Sequence, residues 1–235
     1  MNEKHKMTSV HYKKLETFLL AVDCIIFGFD GTGLKVLLIK RELEPMAGKW
    51  SLVGGFVKNS ESVNDAAMRV LMQLTGLKNI FMEQLHCYGS TERDPGGRVV
   101  SVAYFALIRI EDHAAELLKE HNAKWVPLDK LPKLIFDHNT MLDLSKERLR
   151  QRVANHPIGF ELLPEKFTLP QLQNLYEAIY ESQFDKRNFN RKILGLQILK
   201  KLEEKDKTGS RKGAFYYVFD SDNYKKLESE GISFI

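Results

Sequence analysis

The stretch GGFVKNSESVNDAAMRVLMQLTGL, residues 54 to 77, constrains the fold more than any other part of the chain. Val63, Ala66, Ala67, Val70, Leu71 and Leu74 recur at three- and four-residue spacing, which is the stripe of a helix with one buried face. The spacing predicts a helix from Ser62 to Leu74, closed by Gly76 as its C-cap. Just before it, Gly48 to Phe56 reads as a short glycine-punctuated strand and loop. The unit is therefore strand, glycine turn, polar loop, helix.

The surrounding pattern is mixed. Phe18 to Phe27 is an apolar, β-branched run, followed by the turn Asp30-Gly31-Thr32-Gly33 and a second apolar run, Leu34 to Ile39, so a hairpin is expected. FMEQLHCYGS and VVSVAYFALIRI flank the turn ERDPGGR as further strands. DHAAELLKEH reads as a loop or a short helix, and AKWVPLDKLPKLIFDH as a strand end entering a loop. HNTMLDLSKERLRQRVANH is an amphipathic helix with Met141, Leu142, Leu149 and Val153 on its apolar side. The first ~155 residues are thus an α+β pattern. HPIGFELLPEKFTLP, with three prolines, reads as a junction, which sets domains at 1–155 and 156–235.

Beyond the junction, Thr168 with Gln171 forms a capping box that opens a helix to Ser182, with Leu172, Leu175, Tyr176 and Ile179 inward. A second helix is expected from about Asp185 to about Lys205, with Phe189, Ile193 and Leu196 inward. The turn KDKTGSRKG then leads to the aromatic strand GAFYYVF. Helix, short turn, helix, basic turn and strand is the order of a winged helix-turn-helix. The net charge of the whole chain is only +4, but Lys186 to Lys212 holds ten Lys and Arg against three Asp and Glu. Lys186, Arg187, Asn188, Asn190, Arg191 and Lys192 sit at the start of the second helix, where a recognition helix meets the major groove. Lys207, Ser210, Arg211 and Lys212 lie in the turn and suit phosphate or minor-groove contact. A solvated charged face is the plain alternative.

Cys24 and Cys87 each fall in an apolar strand, so both are expected to be buried reduced thiols. No apolar run reaches the ~18 residues of a membrane span, and the N-terminus lacks the apolar core of a signal peptide; a cytoplasmic protein is expected by elimination.

Gly55, Glu61, Arg69, Gln73 and Gly76-Leu77 stand in the frame Gly-x5-Glu-x7-Arg-Glu-apolar-x-Glu-Glu-x-Gly-apolar. That frame resembles the Nudix box, whose helix glutamates bind magnesium and thereby a diphosphate. Here the first of those glutamates is Val70 and the adjacent pair is Gln73 and Leu74. One remaining carboxylate, Glu61, is a poor magnesium site. KVLLIKR, GKWSLVGGFV, RDPGGRVVSVAYFAL, FTLPQLQNLYEAIY and FDKRNFNRK extend the resemblance over nearly the whole chain, to the Nudix-related transcriptional regulators. The resemblance implies a Nudix-like α/β/α sandwich that binds an effector, a C-terminal winged helix, a homodimer, and double-stranded DNA with a palindromic operator as partner. It implies neither catalytic residues nor a cofactor.

Candidate effector residues are Asp23, Lys40, Trp50, Glu61, Tyr88 and Arg98. Asp23 interrupts an apolar strand and needs a partner or ligand, with Lys40 at the end of the neighbouring strand as one candidate. Trp50 is either core or an aromatic face for a sugar. Tyr88, Glu92, Asp94 and Arg98 lie on a later loop, which either closes the site or is held by the Asp94-Pro95-Gly96-Gly97 turn. Loss of the box carboxylates favours a neutral pentose such as L-arabinose, and so a repressor of sugar utilisation. Within the same resemblance, a regulator of NAD metabolism sensing ADP-ribose is the alternative. The rival from another class is a residual Nudix hydrolase that assembles a metal from Glu61 and Asp94.

Overall fold

The computed structural model describes residues 14–110, 122–155, 160, 162–208 and 212–230. The segment 112–121 and the turn residues Ser210 and Arg211 lie outside the described residues. The first half is a seven-stranded mixed sheet. Its centre is a parallel pair, β1 (Leu19–Phe29) against β6 (Val99–Arg109), in unbroken register from Leu19 opposite Val99 to Phe29 opposite Arg109. β2 (Leu34–Lys40) folds back on β1 as the expected hairpin, with the Asp30 carboxylate accepting the N–H groups of Thr32 and Gly33 in the turn. β3 (Trp50–Ser51) and β7 (Ala123–Pro127) pair with β2, β4 (Val53–Phe56) pairs with β1, and β5 (Glu83–Tyr88) pairs with β6.

Side-chain alternation makes this sheet two-faced. Ile25, Phe27, Val36, Leu38, Ala103 and Phe105 point to one core. Val22, Cys24, Ile26, Leu37, Tyr104 and Ala106 point to the other. Helix α1 (Val63–Thr75) covers the second face with Ala66, Ala67, Val70 and Leu71. It is capped by Ser62, in a reciprocal box with Asp65, and ends at Gly76 in the left-handed conformation, φ 76°. Helix α2 (His138–Asn155) covers the first face with Met141, Leu142, Leu149 and Val153. The result is the expected α/β/α sandwich.

The C-terminal half begins with the short strand β8 (Phe167–Thr168) and helix α3 (Leu169–Tyr180), which carries the Thr168–Gln171 capping box. Helix α4 (Lys186–Gly195) follows, capped by Asp185. Strands β9 (Leu199–Asp206) and β10 (Ala214–Phe219) form the wing, with β10 paired to both β8 and β9. A last helix, α5 (Ser221–Ser229), has no counterpart in the sequence reading. The second helix, expected to run to about Lys205, is also corrected. It stops at Gly195, Gln197 takes φ 56°, and residues 199–206 are strand. LKKLEEKD has helical propensity, but pairing with the aromatic strand overrides it.

The two halves share one core. Leu149 and Val153 of α2 belong to the same apolar cluster as Phe167, Leu172, Tyr176, Phe189 and Ile193 of the winged helix. Polar contacts reinforce the joint. Arg150 Nε donates to the Ile179 carbonyl at 3.0 Å, and Lys146 and Arg150 pair with Glu181 at 2.6 and 3.0 Å. Both α2 and α3 thus bury their apolar faces within their own chain.

Candidate functional site

The Nudix-box frame is present as a fold but is not a metal cage. Val70 is 3% exposed, and its Cγ2 would lie 3.0 Å from a Cβ built on Gly55, so it fills the close approach between helix and strand. Leu74 packs against the same core. Arg69 holds the frame instead. It binds Glu61 in a two-point pair, with Nε at 2.7 Å and Nη2 at 2.5 Å, and donates to the Phe56 carbonyl and to Gln73 Oε1. Position 70, next to Arg69, is a valine, and the carboxylate that Arg69 binds is Glu61. The guanidinium and the Lys58 N–H hold the Glu61 carboxyl down at about 2. Asp94, the other proposed metal ligand, accepts the Gly96 N–H at 2.8 Å and holds its own turn. Among the described residues, no group of three or more His, Cys, Asp or Glu is placed to hold a metal. The magnesium implied by the Nudix frame does not fit these residues.

Beneath the opposite face lies a polar cluster that sequence reasoning found only in part. Asp23, 6% exposed, accepts from Ser101 Oγ at 2.6 Å. Arg93 Nη2 stands 3.5 Å from Asp23 and makes a two-point pair with Asp137 at 2.8 and 2.9 Å. His138 Nδ1 accepts the Leu52 N–H at 3.2 Å, which leaves Nε2 facing Asp23 at 3.5 Å. Burial holds the imidazole below its ordinary value, against the pull of Asp23 and Asp137. Because Nδ1 serves as an acceptor, the ring is neutral and carries its proton on Nε2, toward Asp23. The Tyr88 hydroxyl is buried without a partner among the described residues, and burial together with the Asp137 carboxylate raises its pKa.

Asp23 fits on β1 because its cross-strand neighbour is Gly54. A Cβ there would sit 2.2 Å from Asp23 Oδ1 and 3.0 Å from the Val22 carbonyl. Gly54→Ala is expected to lower stability by about 1–3 kcal/mol through overpacking, read as a drop in thermal midpoint.

Other site residues part from expectation. Lys40 is not the partner of Asp23. It is exposed, with its ammonium 5.1 Å from the Trp50 ring centre across the β2–β3 pair. Trp50 is half-buried and packs on the first core. Arg98 donates to the Gly89 and Ser90 carbonyls at 2.9 and 3.3 Å and stacks over Phe18, so it closes the loop ends. Cys24 is buried and Cys87 exposed, because Cys87 lies on the outer strand β5. Arg93, Asp137 and His138 were missed. Only the lone buried Asp23 signalled that such partners existed.

In the winged helix, Phe189 and Ile193 are buried beneath α4, as expected. Lys186, Arg187, Asn188, Arg191 and Lys192 are exposed. Asn188 accepts from Arg191 Nη2 at 3.1 Å. Asn190 is half-buried, and its side-chain oxygen has no partner among the described residues. Lys207 and Lys212 flank the wing turn and are exposed.

The architecture defines the class: a Nudix domain followed by a winged helix. The NUDIX domain model matches residues 17–145 and the NrtR DNA-binding winged helix domain model matches residues 159–219. The chain is 32% identical over 202 residues to the ADPR responsive transcriptional repressor NtrR of Acinetobacter baylyi, spanning 84% of this chain and 81% of that protein. It belongs to the NrtR-type family of Nudix and winged-helix regulators. The crystal structure of Shewanella oneidensis NrtR complexed with a 27mer DNA superposes with TM-score 0.74 at 30% identity, over 88% of this chain and 95% of that one. The NUDIX domain of the same Shewanella protein complexed with ADP ribose gives TM-score 0.55 at 32% identity, over 63% of this chain and 99% of that domain.

These findings overturn the expectation of a pentose effector and a role in sugar utilisation. The relatives respond to or hold ADP-ribose. The physical error was to infer ligand class from the missing box carboxylates. A carboxylate cage positions a metal, whereas a diphosphate can also be held by cationic and N–H donors. No described helix is long and apolar enough to cross a membrane.

Proposed function

We propose that this protein is an ADP-ribose-responsive transcriptional repressor that acts as a homodimer on a palindromic operator and does not hydrolyse its effector. The observation that carries this is the pairing, in one continuous core, of a Nudix frame without metal ligands and a winged helix with an exposed basic helix. For regulators of this type, the family resemblance implies a place in NAD metabolism.

Lys186, Arg187, Asn188, Arg191 and Lys192 present donors to DNA along α4, with Asn190 at the edge of that face and Lys207 and Lys212 at the wing. In the Nudix domain, Lys40 over Trp50 and the Tyr88 hydroxyl, unpaired among the described residues, retain recognition groups, whereas Glu61 and Arg98 are engaged within the protein. Helix α2 supplies a route between the sites. Asp137 and His138, in the polar cluster, stand just before and at the start of α2, and Lys146 and Arg150 grip Glu181 at the end of α3. A coupling of about 1–3 kcal/mol through this helix releases DNA about 5- to 150-fold.

The test is fluorescence anisotropy on a palindromic duplex from the neighbouring promoter. ADP-ribose is expected to release the duplex, L-arabinose to leave it bound, and ADP-ribose to remain intact after incubation with magnesium. Magnesium-dependent turnover at an ordinary enzymatic rate, with no DNA binding, would reinstate the hydrolase.

A further inference from the structure

The wing holds an arrangement that the basic helix does not account for. Lys201 Nζ lies 3.7 Å and Lys205 Nζ 4.2 Å from the centre of the Phe215 ring. Four residues along a regular strand would set the two side chains ~13 Å apart. The register shows how they converge. Lys205 is opposite Phe215 and Lys201 opposite Tyr217, so four steps of β9 match two steps of β10 and an irregularity absorbs the difference. The bulged strand folds both ammonium groups onto one aromatic ring.

Neither ammonium has a carboxylate partner among the described residues, and both residues are exposed. Nearby lysines differ. Lys200 is paired with Asp220 at 2.9 Å and Lys166 with Glu204 at 2.5 Å. The ring attracts each cation but neutralises neither. Two like charges gathered on one ring also repel, so the arrangement calls for an anion from outside the chain. β9 runs directly into the turn carrying Lys207 and Lys212, which places the pair beside the surface already read as DNA-facing.

We propose that Lys201 and Lys205, seated on Phe215, form a clamp on the wing for backbone phosphates of double-stranded DNA. This rests on the DNA-binding reading above and adds two contact residues to it. A lysine ammonium is a compact charge that binds phosphate without reading a base, so the clamp contributes affinity and leaves sequence preference alone.

The experiment uses the full chain, the operator duplex and a scrambled duplex of equal length, titrated by anisotropy between 50 and 200 mM salt, on the order used to resolve counterion release. In the double variant K201Q/K205Q, the slope of log affinity against log salt is expected to become shallower by about 1.8, at about 0.9 per lost phosphate contact. Affinity for the two duplexes should fall by the same factor. K200Q, which removes a lysine already paired with Asp220, should leave the slope unchanged. The far-UV spectrum of each variant should match the parent, since all three side chains are exposed. An unchanged slope in the double variant, with the parent binding normally, overturns the clamp. So does an equal loss in K200Q, or a loss confined to the operator. A parent that binds neither duplex overturns the DNA-binding reading itself, and the clamp with it.

Discussion

Arg93→Met is expected to lower the unfolding free energy by about 3–5 kcal/mol, the usual cost of removing one partner from a buried ion pair. Arg93 is 7% exposed and, among the described residues, is the cation paired with both Asp23 and Asp137, at 3.5 and 2.8 Å. Methionine replaces most of the side-chain volume and none of the charge. Asp23 keeps the Ser101 hydroxyl and the neutral His138 ring, but neither carries a positive charge. Two carboxylates then remain in a space built for one cation between them. Denaturant unfolding measures the loss as a lower midpoint at unchanged slope. The effect should reach beyond stability. Asp137 immediately precedes α2, so freeing it loosens the first turn of the helix that joins the two halves. A loss below about 1 kcal/mol, the range of exposed pairs, would show that the cluster is hydrated and open rather than a structural keystone.

Charge reversal on α4, Arg187→Glu with Arg191→Glu, is expected to abolish operator binding while leaving the fold intact. The two residues are four apart, so they share one helix face, away from buried Phe189 and Ile193. If each arginine makes a contact worth about 1–3 kcal/mol, losing both weakens binding by about 2–6 kcal/mol, or at least about 30-fold. The introduced carboxylates add repulsion from phosphate. Thermal stability should change by no more than about 0.5 kcal/mol, since both side chains are exposed and neither has an ion-pair partner among the described residues. Anisotropy with the operator duplex gives the result directly. Unchanged affinity would mean that the basic face is only solvated.

Where the chain was legible, local physics decided the outcome. The Asp30 turn, the stripe of α1, and the Thr168–Gln171 box each depend on residues within a few positions of one another, and each formed as read. The same holds for buried Phe189 and Ile193 against exposed Arg187 and Arg191, which helical spacing alone separates. Where the reading failed, a distant partner had the last word. LKKLEEKD became strand because β10 offered it a ladder. Cys87 is exposed because its strand lies at the margin of the sheet, a position invisible in its own apolar run.

The Nudix frame shows the division most clearly. That Val70 and Leu74 are apolar, and that Glu61 stands nearly alone, is written in the residues and needs no coordinates. That Glu61 then closes on Arg69 follows from the fold of one loop over one helix. The partners of Asp23 could not be read at all. Ser101 is 78 positions away, and Arg93 and His138 lie on a loop and a helix far along the chain. Periodicity shows which face of an element is apolar. It carries no information about which polar groups, far apart in sequence, will meet in one buried space. That depends on how sheet and helices stack, and the electrostatics of burial then require those groups to pair.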